Sequence, residues 1–247
     1  MSDTTTLERK ERELIDAGVD PKTISSPTGK MLLKGLDRVM RMQGGLIEKY
    51  VARLKNKNPD ATTAELQEKI DSHFLTIVST TGAGSGGSAA IPGIGFVTGA
   101  AAVGAESLLF IDAAAWYTLA SAALHGADIK DPQQREALVL LGLLGSKGTA
   151  IVDTLLIDAD GTIADTANAL ETKNTAGLLS RFSGPALNEV NTRLVKALIN
   201  RFGKSVRMAW LGKLLPLGIG AVAGLVANRK LAKTVIKHTQ EALNPAH

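Results

Sequence analysis

Residues 190–214 read VNTRLVKALINRFGKSVRMAWLGKL, and Val190, Leu194, Leu198, Phe202, Val206, Trp210 and Leu214 recur in steps of four. That step follows one side of an α-helix, with Arg193, Lys196, Arg201, Lys204, Arg207 and Lys213 set between the apolar positions. Pro216 interrupts the row. Gly218, Gly220 and Gly224 then open a small-residue helix that passes into Leu231, Val235 and Lys237.

The same reading extends backwards through the chain. Leu32, Leu36, Val39, Leu46, Tyr50 and Leu54 predict one helix face between Gly29 and Asn56. Asn58-Pro59-Asp60 is a turn, after which Thr62 or Thr63 caps a helix reaching about Ser79, with Glu65 in its first turn where a negative charge suits the helix dipole. Leu108 to His125, rich in Ala and Leu with Asp112 inside it, reads as a buried helix that Gly126 to Asp128 stop. Asp131 and Pro132 are N-cap and first residue of the next helix, whose apolar body is Ala137 to Leu144. Periodicity weakens from Ala150 to Lys173. Ahead of all this, Asp20-Pro21 and Ser26-Pro27 break any helix that starts near Leu7, which predicts a mobile, charged N-terminal arm.

Composition supports the same class. The chain has 247 residues, 45% hydrophobic but only 4% aromatic, so the apolar content is mostly Ala, Leu and Gly rather than strand formers. The expectation is an all-α, compact multi-helix bundle with tightly packed Gly/Ala-rich central helices, formed by a single domain over 29–247 behind an arm over 1–28. With no cysteine, disulfides and thiolate metal sites are excluded, in keeping with a reducing cytoplasm. Met1 to Asp16 have no apolar core of the kind a secretory signal needs.

Thr80 to Gly104 carries eight glycines and Pro92 without a charge. Gly82 to Ser88 is too permissive for a stable isolated helix, whereas Gly95, Gly99 and Gly104 among Ala and Val allow close helix approach, as do Gly218, Gly220 and Gly224. Ile91-Pro92-Gly93-Ile94-Gly95 and Leu215-Pro216-Leu217-Gly218-Ile219-Gly220 echo one another as comparable helix starts. The uncharged stretch from Phe74 to Ala105 is 32 residues long. Its glycine-heavy first half and the following Glu106 and Asp112 argue against a spanning helix, since a charge at the bilayer centre costs about 2.5–3.5 kcal/mol. A hairpin dipping into the bilayer is the alternative.

Charge is segregated. Asp60 to Glu171 holds fourteen acidic residues against four Lys or Arg, whereas Val190 to Gln240 holds ten basic residues and no acid. Such a block attracts phospholipid head groups, nucleic acid, an acidic protein or the acidic middle of its own chain. No helix-turn-helix, zinc or RNA-recognition signature accompanies it, and a basic helix with a Trp suits an anionic membrane surface. Arg201, Lys204, Arg207, Trp210 and Lys213 are the candidate membrane and anion-binding residues.

Leu155 to Thr166 (LLIDADGTIADT) is similar to the first motif of haloacid-dehalogenase-like phosphatases, which would make Asp158 a nucleophile and Asp160 an acid/base acting beside Mg²⁺. Such enzymes need a later acidic pair for the metal, and after Glu171 only Glu189 and Glu241 remain. The motif therefore reads as an acidic turn. Gly82 to Ser88 and Gly145 to Thr149 each lack part of a phosphate-loop pattern, and His73, His125, His238 and His247 show no metal-ligand pairing. Neither a cofactor nor an enzyme activity is expected.

The order of parts resembles the EcsC family. A Gly/Ala-rich segment leads into the Pro92-Gly93 turn and a helix with Glu106 and Asp112. His125-Gly126-Ala127-Asp128-Ile129-Lys130-Asp131-Pro132-Gln133-Gln134-Arg135-Glu136 is similar to the family's YGYD…DPeeR passage. Pro216 through Gly224 to Asn228 is similar to its closing glycine-spaced segment. The likeness covers roughly Ile70 to Leu243. It implies an α-helical, membrane-associated bacterial protein, in some members encoded beside an ABC-type exporter, without established catalytic residues. The functional expectation is a non-catalytic, amphitropic membrane- or lipid-binding adaptor on the inner face of the cell membrane. Anionic phospholipid is its expected partner, with a protein of a membrane complex and a second copy of the chain as further candidates.

Overall fold

The structure is a computed structural model that describes residues 2–81, 102–160, 179, 182–209 and 219–243. Every regular element among the described residues is a helix. In chain order these are α1 (Ser2–Asp16), α2 (Pro21–Ile24), α3 (Pro27–Arg41), α4 (Gly44–Lys57), α5 (Thr63–Thr81), α6 (Ala102–Leu124), α7 (Pro132–Leu144), α8 (Ser146–Asp160), α9 (Gly184–Ala209) and α10 (Ile219–Leu243). They pack together as a multi-helix bundle, and the expected all-α class holds.

Two helices form the centre. α6 is apolar on every side, and a helix without a polar face must be enclosed. Ala113 to Ala122 are all buried, against α3, α4, α5, α7 and α10. α7 is enclosed likewise by α3, α6, α8, α9 and α10. Its start follows the expected chemistry: the Asp131 side chain accepts from the Gln133 N–H, and Pro132 occupies the first turn.

Burying Arg135 in that helix requires every donor to find a partner, and the partners are backbone carbonyls. Nη1 donates to Ile129 O (2.9 Å) and Lys130 O (2.6 Å), and Nη2 to Met40 O (2.6 Å). The last contact closes the C-terminal end of α3, where a cation opposes the negative end of the dipole. Asp128 and Arg135, singled out by sequence, thus shape the α6–α7 connection, with the Asp128 carboxylate accepting from Lys130 N–H.

Two sequence expectations need correction. The helix read through Gly29–Asn56 breaks at Met42 and Gln43, because α4 begins against the 129–130 loop. A Cβ on Gly44 would stand 2.5 Å from Ile129 O, so backbone contacts backbone there. The break resets the phase, and α4 buries Ile47, Val51 and Leu54 rather than Leu46, Tyr50 and Leu54. From Ser2 onward the segment expected to be a mobile arm is helical and docked: Asp20-Pro21 and Ser26-Pro27 cap and start α2 and α3, while Leu14, Val19 and Ile24 are buried. Lys10 on α1 also pairs with the buried Glu136 of α7. Leu155 to Asp160 form the last turns of α8, whereas the first motif of the phosphatases opens on a strand.

Candidate functional site

The basic helix α9 rests its apolar row on α7: Val190, Leu194 and Leu198 are buried, with Leu187, Val195 and Ile199 beside them. Two of its cations, Lys196 and Arg201, are bonded to backbone carbonyls of other elements. Arg193 pairs with Glu189 one turn away on the surface, at 2.6 Å. Lys196 Nζ donates to Ala17 O at 2.5 Å, immediately after α1. Arg201 Nη1 donates to Leu143 O (3.3 Å) and Leu144 O (2.9 Å), the final carbonyls of α7. Arg201, a candidate for an anionic surface, thus caps the end of α7. Lys204 and Arg207 lie further along α9. Trp210, Lys213, Gly95, Gly99 and Gly218 lie outside the described residues, while Gly104 is in the first turn of α6 and Gly220 and Gly224 are near the start of α10.

α10 is arranged differently. Ala232, Val235, Thr239, Ala242 and Leu243 are buried, and Arg229, Lys230, Lys233 and Lys237 are exposed. At 100° per residue these four cations fall within an arc of about 100°, opposite the buried side. Lys237 approaches Glu241 at 3.7 Å, an exposed pair of little strength. Leu231, 49% exposed, flanks the stripe.

The two flanks of α10 meet different chemistry. On one, Gln240 Nε2 donates to Asp71 Oδ2 of α5 at 2.8 Å. Asp71 Oδ1 accepts from the Tyr117 hydroxyl (2.8 Å) and from Gln67 Nε2 (2.7 Å), and Gln67 also donates to Ser121 Oγ (2.9 Å). Burial, reinforced by the Asp71 carboxylate, pushes the Tyr117 hydroxyl far above its ordinary range, so it remains a proton donor. Beside this network an open groove of about 510 Å³ runs between α5 and α10, lined by Glu68, Asp71, Ser72, Leu75, Thr76, Ser79 and Arg229.

On the other flank His238 lies against the end of α7. Gly145 has φ +63°, and a Cβ there would stand 2.5 Å from the His238 ring. Burial first, then the neighbouring Arg201 charge, lowers the histidine pKa, with Glu241 and a Gly142 backbone hydrogen bond acting the other way and Lys237 adding to the lowering. One turn earlier, a Cβ on Gly142 would meet Thr118 Oγ1 at 2.7 Å and Thr239 Oγ1 at 2.9 Å. Gly142 of α7 thus lets α6 and α10 approach it closely.

Sequence reading missed the Asp71 network, although a signal was present: Gln67 and Asp71, and Tyr117 and Ser121, are polar pairs one turn apart in helices that otherwise bury apolar groups. It also missed Arg38, whose Nη1 lies 3.1 Å from the buried Asp112. Burial raises the Asp112 pKa and Arg38 offsets part of that rise. Among the described residues no set of His, Asp and Glu is placed to hold a metal ion, and no helix is long and apolar enough to cross a membrane. No family model, curated protein or solved structure matches the chain.

Proposed function

We propose that this chain is a non-catalytic protein that binds the surface of an anionic membrane reversibly, with the exposed stripe of α10 as its described contact. One contrast carries the reading: Lys196 and Arg201 of α9 are bonded to backbone carbonyls, whereas Arg229, Lys230, Lys233 and Lys237 stand together on an outer face. Each Lys or Arg near an anionic leaflet contributes about 1 kcal/mol within a Debye length, so a stripe of this size needs only modest apolar insertion to hold a surface. Lys204, Arg207, Trp210 and Lys213 belong to the same acid-free segment and extend the proposed contact. The resemblance to the EcsC family supports the same role, an adaptor at the inner membrane face.

Co-sedimentation with anionic and neutral vesicles at low and high salt, beside a DNA and RNA mobility assay, tests this. Salt-sensitive binding to anionic vesicles is the expected result. Equal indifference to both vesicle types, or tight nucleic-acid binding, rejects it.

A further inference from the structure

Two hydrogen bonds join three helices into one layer. The Tyr50 hydroxyl of α4 lies 2.7 Å from His73 Nδ1 of α5, and Gln240 of α10 donates to Asp71 of α5. All three helices pack on α6, with the Tyr50 ring edge-on to Trp116 at 4.7 Å and the Phe74 ring of α5 stacked on Tyr117. α5 is therefore the middle helix of the layer, flanked by α4 and α10.

α4 carries a cationic row of its own. Lys49, Arg53 and Lys57 step by four and are exposed, while Ile47, Val51 and Leu54 are buried. At about 100° per residue the row starts almost opposite the buried side, at Lys49, and drifts to Lys57, about 20° from Tyr50, the residue that meets α5. It thus fills the sector between the outer side of the layer and α5. The stripe on α10 is placed alike: Lys230 and Lys237 point away from the buried side, whereas Arg229 and Lys233 lie within about 20° of Gln240, which also meets α5. Both rows therefore open on one outer face, on either side of α5, with axes two interhelical spacings apart, roughly 16–20 Å. Lys49, Arg53 and Lys57 form no ion pair among the described residues. The exposed acids Glu65 and Glu68 of α5 stand between the rows and are outnumbered by their seven cations.

We infer that the whole α4–α5–α10 layer is the membrane-contacting face, lying flat with its helix axes along an anionic leaflet, so that α4 shares the contact with α10. This rests on the membrane reading above and adds an orientation to it. Rows this far apart do not converge on one small anion, and they match a continuous plane of phosphate head groups.

The test is co-sedimentation of the full chain with phosphatidylcholine vesicles, with and without phosphatidylglycerol, at about 0.1 M salt, where the Debye length is about 10 Å and distant charges count little. Three pairs of substitutions carry the same change of net charge at exposed positions: Lys49→Glu with Arg53→Glu on α4, Lys230→Glu with Lys233→Glu on α10, and Lys30→Glu with Lys34→Glu on α3, which packs against α6, α7 and α9 outside the layer. The α4 and α10 pairs should each weaken binding to the anionic vesicles about 25-fold or more, and the α3 pair less than about threefold, with circular dichroism unchanged in all three. A loss that spares the α4 or the α10 pair overturns the layer, and one confined to the α10 pair leaves the stripe standing as the contact. Equal losses in all three overturn it in favour of attraction by net charge without a fixed face. Indifference of the parent chain to anionic vesicles removes the orientation and the membrane reading together. Because the chain has no cysteine, Ser72→Cys and Ala186→Cys each accept a single environment-sensitive fluorophore without altering charge. The label at Ser72, exposed on α5 between the rows, should shift to the blue on anionic vesicles, and the label at Ala186, exposed on α9, should not. A shift at Ala186, or none at Ser72, while the chain sediments with the vesicles overturns the orientation.

Discussion

The guanidinium of Arg201 closes the C-terminal end of α7, with Nη1 2.9 Å from the carbonyl oxygen of Leu144. A cation at that position satisfies carbonyls that no longer have a helical partner and opposes the negative end of the dipole. The same contact ties α9 to the most enclosed part of the bundle, so a residue whose sequence context advertises an anion site is spent on tertiary structure. Arg201→Ala should therefore lower stability by about 1.5–3 kcal/mol, the range for hydrogen bonds to a charged group, in urea unfolding. Its salt-dependent vesicle binding should stay close to that of the parent chain. A stable Arg201→Ala protein with impaired vesicle binding would reverse this assignment.

Gly44 and Gly45 are adjacent in sequence and opposite in circumstance. A Cβ on Gly44 would stand 2.5 Å from the Ile129 carbonyl oxygen, while one on Gly45 meets nothing within 4 Å. Gly44→Ala must push α4 off the 129–130 loop and should cost about 1–3 kcal/mol as an overpacking change. Gly45→Ala should stabilise by about 0.4–1 kcal/mol, because alanine restricts the unfolded chain and fits the helix. Melting temperatures that move in the same direction for both would contradict the close approach.

Helix identity was legible wherever an apolar stripe met a turn signal, as at Asp131-Pro132, because both follow from local geometry. What escaped was decided by tertiary contacts. Nothing local says that Gly44 must abut a carbonyl, so the phase change between α3 and α4 could not be read from Leu32 to Leu54. In sequence Pro21 and Pro27 read as breakers, yet a proline breaks the end of one helix and suits the start of the next equally well. The candidate site shifted for a related reason: among the described residues Lys196 and Arg201 of α9 are bonded to backbone carbonyls while Arg229, Lys230, Lys233 and Lys237 of α10 are exposed, and a run of basic sequence carries no sign of that division.

His238 gives the fold a pH dependence of definite sign. Its folded pKa is lowered, by burial before any charge, so near and below the ordinary histidine value of about 6.5 the unfolded chain binds the proton that the folded one resists. Stability from this group is fully present above the unfolded pKa and is lost as pH falls through that value towards the depressed folded one. Chemical denaturation between about pH 7.5 and 5, the window around that reference value, should show a midpoint that declines with acidification. His238→Gln should flatten the decline. An unaltered slope in that variant would mean that other groups carry the effect.

The charges of α9 and α10 make opposite predictions, and this contrast discriminates between surface binding and internal neutralisation. Lys196 is bonded to the carbonyl after α1, so Lys196→Gln should cost stability, about 1.5–3 kcal/mol for a charged donor, and should change vesicle binding little. Lys230 and Lys233 face outward with no acid beside them among the described residues, so reversing both should leave unfolding within about 0.5 kcal/mol of the parent, as for surface changes away from special contacts. At an anionic surface the same pair contributes about 1 kcal/mol per charge, and removing it predicts a loss of vesicle affinity of about 25- to 30-fold, at roughly 1.4 kcal/mol per decade. Reversal to glutamate adds repulsion, so Lys230→Glu with Lys233→Glu should abolish sedimentation with anionic vesicles at low salt. If that double variant sediments as the parent does, the stripe is not the contact. If instead it unfolds readily while Lys196→Gln does not, the division of labour between the two helices is the reverse of the one their hydrogen bonds indicate.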